Sequence, residues 1–200
     1  MTERGNEREW ILHARRGDDD AFANLVEAYQ VPVYNLCCRM LGDPVQAEDA
    51  AQESFLKAYR GLKRYDPNRP FATWLLSIAS HHCIDRLRRR RIQAISLSEL
   101  LPNQQKPDDS PGPEAALAIS EHQQAVRGML EHLGNHDRAV VVLRYWYELS
   151  YEEIAQTLST SVSSVKSRLH RARRQLARYW MEQETVALAT RGKCDEPSAV

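Results

Sequence analysis

Between residues 20 and 42, Phe22, Leu25, Val26, Tyr29, Val33, Leu36 and Met40 recur at steps of three and four with polar positions between them. That spacing lines one face of a helix, and Gly42-Asp43-Pro44 supplies its stop. Residues 45–62 read as a second helix. Tyr65-Asp66-Pro67-Asn68-Arg69-Pro70, with two prolines, reads as a loop. A third helix runs from about Phe71 to Arg91, with Trp74, Leu75, Ile78 and Ala79 on its apolar side. The pattern breaks over residues 93–118, where Pro102, Pro107, Pro111 and Pro113 stand among Ser, Asp and Gln, a flexible-linker composition. A second helical block follows from about Ile119 to Met181, and residues 182–200 read as a loose tail. No alternating strand pattern of useful length and no internal repeat appears. The pattern predicts an all-α fold of two small helical domains, 1–92 and 119–181, joined by the linker.

The second block holds the most telling stretch. Ser150 and Glu153 stand at the spacing of a capping box, ahead of a helix with Ile154, Ala155 and Leu158 on its apolar face. Ser159, Thr160 and Ser161 interrupt that helix, and Ser163 or Ser164 is placed to cap the next. There Val165, Leu169, Ala172 and Leu176 form a buried stripe. Ser163, Lys166, Ser167, His170, Arg171, Arg174 and Arg178 fall outside it. From Ile154 to Met181 there are six Lys or Arg and no Asp or Glu. A helix docked on its dry side and uniformly basic on its wet side is suited to lie along phosphates. An ordinary surface helix mixes its signs.

The formal net charge of zero hides a segregation along the chain. Residues 1–66 carry nine basic and twelve acidic groups, whereas 67–92 carry six and one. Residues 93–153 carry four and ten, and 182–200 carry two and four. Two basic islands in an otherwise acidic protein predict two nucleic-acid contacts, with the remaining surface limiting non-specific adhesion. The first island closes the third helix, where Arg86 and Arg88–Arg91 put five arginines into six positions. Cations at a helix C-terminus suit its dipole, but a phosphate track accounts better for five of them. Tyr65, Phe71 and Trp74 lie just upstream. Each ring by itself reads as core, and the loop around them as the place where unpaired bases would stack.

Four cysteines, Cys37, Cys38, Cys83 and Cys194, show no C-x-x-C spacing and read as reduced thiols. His81, His82, Cys83 and Asp85 are too nearly consecutive to converge from one helix, and no second ligand pair appears, so no metal is expected. No cofactor is expected either, since no phosphate loop or nucleophile–base pair is visible. The chain lacks an apolar leader and any run near membrane-spanning length, which predicts a cytoplasmic protein without membrane insertion.

Three motifs in order then carry a resemblance spanning residues 20–180. They are Ala47-Glu48-Asp49-Ala50-Ala51-Gln52-Glu53-Ser54-Phe55; Phe71-x-Thr73-Trp74-Leu75-x-x-Ile78-Ala79 with Ile84-Asp85-x-x-Arg88-Arg89; and Leu149-Ser150-Tyr151-x-Glu153-Ile154-Ala155 with Val165-Lys166-Ser167-Arg168-Leu169-x-Arg171-Ala172. The chain resembles a bacterial RNA polymerase sigma factor of the extracytoplasmic-function (ECF) group. The resemblance implies that the first domain is sigma region 2, binding core RNA polymerase and opening the −10 element. The second would be region 4, with its recognition helix in the major groove of the −35 element of promoter DNA. It implies that Lys166, Ser167, His170 and Arg171 face bases, with Arg168, Arg173 and Arg174 on phosphates and Ser163 and Ser164 beside them. On the −10 side it gathers Tyr65, Asn68, Arg69, Phe71, Trp74, His81, Arg86, Arg88, Arg89 and Arg90. Asp49, Gln52 and Glu53 share one helix face and match the family's polymerase-clamp surface. An anti-sigma factor is the implied regulatory partner.

Two departures stand out. His81 occupies a position where the group usually has Asn, which bears on −10 preference. The turn before the recognition helix reads Ser159-Thr160-Ser161-Val162-Ser163-Ser164 in place of the common glycine and proline, and serine capping preserves the geometry. A stand-alone helix-turn-helix regulator and a polymerase-binding decoy are the competing readings. The second basic island weighs against the first, and the full set of arginines against the second.

Overall fold

The computed structural model describes the backbone of residues 3–100 and 121–192, with side chains placed over 6–93 and 124–183. Every regular element among them is helical: α1 (Glu3–Ala14), α2 (Asp19–Leu41), α3 (Pro44–Gly61), a 3₁₀ turn (Leu62–Arg64), α4 (Phe71–Leu100), α5 (Glu121–Glu131), α6 (Asn135–Tyr145), α7 (Tyr151–Thr157) and α8 (Val162–Gly192). The all-α expectation is met.

Local chemistry sets the boundaries. Asp18 accepts a hydrogen bond from the Ala21 amide at 3.0 Å to start α2, and Gly42 ends it with φ of 74°, a left-handed conformation suited to glycine. Asp43 then caps α3 through the Gln46 amide at 3.0 Å, with Pro44 in the first turn, where α3 itself has no use for the missing N–H. Leu25, Val33, Leu36 and Met40 of α2 meet Ala47, Ala50 and Ala58 of α3 and Phe71, Leu75 and Ala79 of α4 in a sealed core. Helix α1, which the hydrophobic pattern does not predict, packs on α2; its Ile11 and Ala14, both near its C-terminal end, are buried.

Two boundaries differ from those expected. Helix α4 continues through residues 93–100, the first part of the predicted linker, because no Pro or Gly occurs between Arg91 and Pro102 to stop it. Residues 101–118, the rest of that segment, lie outside the described residues. Helix α8 likewise runs to Gly192 through the start of the predicted tail, since residues 182–190 contain no helix breaker. Residues 193–200, including Cys194, also lie outside.

In the second half, Val140, Val142 and Leu143 of α6 pack with Ile154 of α7 and Val165, Leu169 and Ala172 of α8. The halves also touch each other. Helix α6 packs against both α2 and α4, and α7 against α4. The buried Arg138 donates from Nη1 to the main-chain carbonyl of Met40 at 2.6 Å. Tyr147 Oη donates to the Pro32 carbonyl at 2.5 Å, and the Arg39 guanidinium lies over the Trp146 ring at 5.1 Å.

Candidate nucleic-acid interface

The predicted helix-turn-helix forms from α7 and α8. The capping box closes reciprocally: Glu153 N donates to Ser150 Oγ at 3.1 Å and Ser150 N donates to Glu153 Oε2 at 2.8 Å. Those bonds hold the Glu153 carboxyl below its ordinary range. Ser159 adopts a left-handed φ of 50° in the turn. The cap of α8 differs from the one expected. Ser161 Oγ accepts the Ser164 amide at 3.1 Å, so the helix begins at Val162 and Ser163 and Ser164 lie inside its first turn.

Val165, Leu169 and Ala172 are buried and Leu176 is half-buried, as the periodicity predicts. Ser163, Lys166, Ser167, His170, Arg173 and Arg174 are exposed together. Lys166 Nζ lies 5.9 Å from the centre of the Tyr151 ring, which Arg144 also faces at 5.2 Å. Arg173 Nε donates to Tyr145 Oη at 2.9 Å.

Two arginines of the set are engaged inside the domain. Asp137, in the first turn of α6, is buried and accepts from Arg171 Nε at 2.7 Å, Arg171 Nη2 at 2.8 Å and Arg168 Nη1 at 3.1 Å. Burial alone would raise the Asp137 carboxyl, but the hydrogen bonds and charges of Arg171 and Arg168 outweigh it and hold it below the usual range. Neither arginine is therefore the freely extended contact that helix periodicity implies. Asp137 and Tyr145 are partners that sequence reasoning missed. Their link to α8 exists only in the packing, and no spacing rule reaches across some thirty residues to reveal it.

On the first half, the loop aromatics close on themselves. Tyr65 and Phe71 are 4% and 2% exposed, and with Trp74 and Tyr29 they form a cluster with ring centres 5.0–5.5 Å apart. Tyr65 Oη also donates to the Arg69 carbonyl. In this arrangement their faces are covered, so of the three only the half-buried Trp74 keeps accessible ring surface. Asn68 is exposed and bonds Asp66 through both its amide groups, beside the exposed Arg69. His81 is exposed with its ring on the Ser77 carbonyl at 2.7 Å. Arg88 pairs with Asp85 at 3.2 Å, Arg90 reaches Gln46 at 3.4 Å, and Arg89 is exposed.

Residues 25–92 match the family profile Sigma-70 region 2, and residues 123–176 match Sigma-70, region 4. Over 172 residues the chain is 38% identical to the ECF RNA polymerase sigma factor SigW of Bacillus subtilis strain 168, covering 83% of this chain and 92% of that protein. The chain belongs to the ECF sigma factor family. The RNA polymerase sigma-H factor of Pseudomonas aeruginosa is 32% identical over 179 residues, covering 86% of this chain and 93% of the relative. The fold recurs in CnrH, solved in complex with the cytosolic domain of CnrY, with a TM-score of 0.64 at 24% identity over 88% of this sigma factor and 98% of that chain. It recurs again in the sigma factor RpoE of Bartonella quintana, solved with the anti-sigma factor NepR, at TM-score 0.59 and 19% identity over 78% and 93% of the two chains.

Within this sigma factor, Asp49, Gln52 and Glu53 are all exposed on α3. Remote in sequence from the basic islands, that face is next to one of them in space. Arg86 Nη2 lies 3.4 Å from Asp49 Oδ2. Charges from both islands are felt at the start of α6. There burial lowers the His136 imidazole below its ordinary range, reinforced by Arg168 of α8 and by His81 and Arg88 of α4, with Asp137 opposing.

Proposed function

We propose that this sigma factor divides its labour along the two matched regions. Residues 1–92 bind core RNA polymerase through Asp49, Gln52 and Glu53 and open the −10 element along the α4 arginines. Residues 119–181 read the −35 element through the exposed face of α8, with bases facing Ser163, Lys166, Ser167 and His170 and phosphates facing Arg173 and Arg174. The observation that carries this reading is the pair of separate basic surfaces, one in each region. A stand-alone regulator needs one reading head, whereas promoter opening needs a duplex reader and a melting surface. The chain contributes specificity and no catalytic step of its own, since RNA synthesis belongs to the polymerase. Its partners are core polymerase, promoter DNA and, on the precedent of the RpoE–NepR complex, an anti-sigma factor. It acts in the cytoplasm, where polymerase is found, and no helix among the described residues is long and apolar enough to cross a membrane.

Run-off transcription on a genomic fragment library, with core polymerase alone and with the chain added, tests this. Discrete new transcripts that share −35 and −10 elements are expected only with the chain. Duplex binding without any new start site would assign the protein to the stand-alone regulators.

A further inference from the structure

The carboxylate that α6 turns toward the recognition helix is unusual in its setting. Asp137 has 8% of its side chain exposed, so it is withdrawn from solvent behind the two arginines that it binds. Arg171 uses the Nε/Nη2 edge of its guanidinium on both carboxylate oxygens, the planar two-point fit that arginine alone provides. Arg168 reaches the same carboxylate with Nη1 while its Nε stands 3.3 Å from Ser164 Oγ. Even so, 54% of the Arg171 side chain remains accessible. Five N–H groups surround a guanidinium, and the carboxylate takes one edge, leaving Nη1 and the outer side of Nη2. Arg171 is also set at the margin of the exposed face that carries Lys166, Ser167 and His170, between that face and the buried stripe.

A long side chain free on a helix surface loses rotamer entropy when a partner immobilises it. An arginine already fixed by a buried carboxylate has met that cost during folding. The two arginines also outnumber the one carboxylate, so the group stays cationic toward DNA.

We propose that Asp137 is a positioning residue for promoter reading: it fixes Arg171 in one orientation at the edge of the recognition helix so that the remaining guanidinium edge meets a base at a fixed place in the −35 major groove. This rests on the reading of α8 as the −35 recognition helix. Arg168, tied to the same carboxylate and to its own helix, completes the clamp that sets how α8 sits on α6. Base discrimination at one promoter position then depends on a residue that does not itself touch DNA.

The test uses holoenzyme assembled from core polymerase and the full chain, selecting active promoters from a library randomised across the −35 element. Asp137→Asn and Arg171→Ala should relax preference at the same base position, each by on the order of tenfold, the scale of one good two-point base contact. The double variant should be no worse than either single change, the mark of two residues acting as a unit. Arg171→Lys keeps the cation, loses the fork, and should relax that same position. Unaltered preference in Asp137→Asn, or a loss spread evenly over all sequences, would overturn the proposal and leave Asp137 as packing. Should Asp137→Asn fail to fold, Arg171→Lys decides, and unaltered preference there overturns the proposal as well. A wild-type holoenzyme with no −35 preference would bring down the parent reading and this one together. Wild-type preference that survives in the variants brings down this one alone.

Discussion

The Met40 carbonyl has no partner within its own helix, and Arg138, from the other half of the chain, donates to it at 2.6 Å. The residue four positions on is Pro44, which has no N–H to give. An arginine ninety-eight positions away thus satisfies a helix end that α2 cannot satisfy itself. Burial depresses the pKa of the Arg138 guanidinium, with Glu131 opposing. Arg138→Met keeps most of the stem and removes the donor. It should cost about 1.5–3 kcal/mol, the range for a hydrogen bond to a charged group. Urea denaturation followed by far-UV circular dichroism measures it, and a loss within a few tenths of zero would make the contact incidental.

The exposed face of α8 should separate into readers and anchors. Lys166→Ala or His170→Ala should lose about 1–3 kcal/mol at particular −35 positions if each holds a base edge. Arg174→Ala should weaken binding evenly across sequences and lower the slope of log affinity against log salt by about one. Competitive binding of holoenzyme to a panel of single-base −35 variants at several salt concentrations gives both quantities. Equal, sequence-independent losses for all three would remove base reading from this face.

The acidic face on α3 makes a different prediction, because Asp49 is not alone there. Replacing Gln52 and Glu53 together with alanine, a strong helix former, should preserve helicity and lower affinity for core polymerase by on the order of tenfold or more, as for central interface contacts. Asp49→Ala should in addition release Arg86 and change promoter opening. An exposed pair of this kind contributes little to stability, so the melting temperature should hardly move. Pull-down with core polymerase, alongside permanganate footprinting of the open complex, distinguishes the two effects. Full polymerase binding by the Gln52/Glu53 double variant would place the clamp contact elsewhere.

Acidification should loosen the fold through His136 and His82. Burial lowers both imidazoles, helped by Arg168, His81 and Arg88 around His136 and by Lys57 and Arg86 around His82; Asp137 opposes at the first, Glu53 and Asp85 at the second. The unfolded chain therefore takes up protons before the folded one as pH falls below about 6.5, and stability declines from there toward the lowered folded values. Above that range both forms are neutral and the effect vanishes. Thermal melts between pH 7.5 and 5.5 should show this decline, and His136→Asn should remove part of it. A wild-type curve that is flat over this interval would contradict the assignment.

The helical stripes of α2 and α8, the capping box at Ser150 and both charge islands were legible in the sequence, because each depends on neighbours three or four positions apart. Family membership followed from the same short motifs. What escaped depends on contacts between distant segments. Tyr65 and Phe71 each read as core and are buried, but that Tyr29 of α2 is among the rings that close over them is visible only in the packing. Arg171 has the periodicity of a free reader, yet a carboxylate on α6 takes one edge of it. Beyond the linker read from composition, a carbonyl orphaned by Pro44 and a tyrosine on the Pro32 carbonyl bring the halves together, contacts that no local pattern encodes. Periodicity says which way a side chain points and nothing of what arrives from elsewhere to meet it.

Helix α8 does not stop where the region 4 match ends at residue 176 but continues unbroken to Gly192. Tyr179 rests on the His132 ring of α5, with ring centres 4.1 Å apart. Lys166 lies thirteen residues to one side of that contact and Gly192 thirteen to the other, about 20 Å each way at the helical rise. With Val165, Leu169 and Ala172 sealed in the core, the first half of the helix is fastened along its length, and Tyr179 adds a second hold near its middle. The residues beyond Tyr179 extend α8 past both holds, so a load on that extension meets the α5–α8 contact before it meets the core.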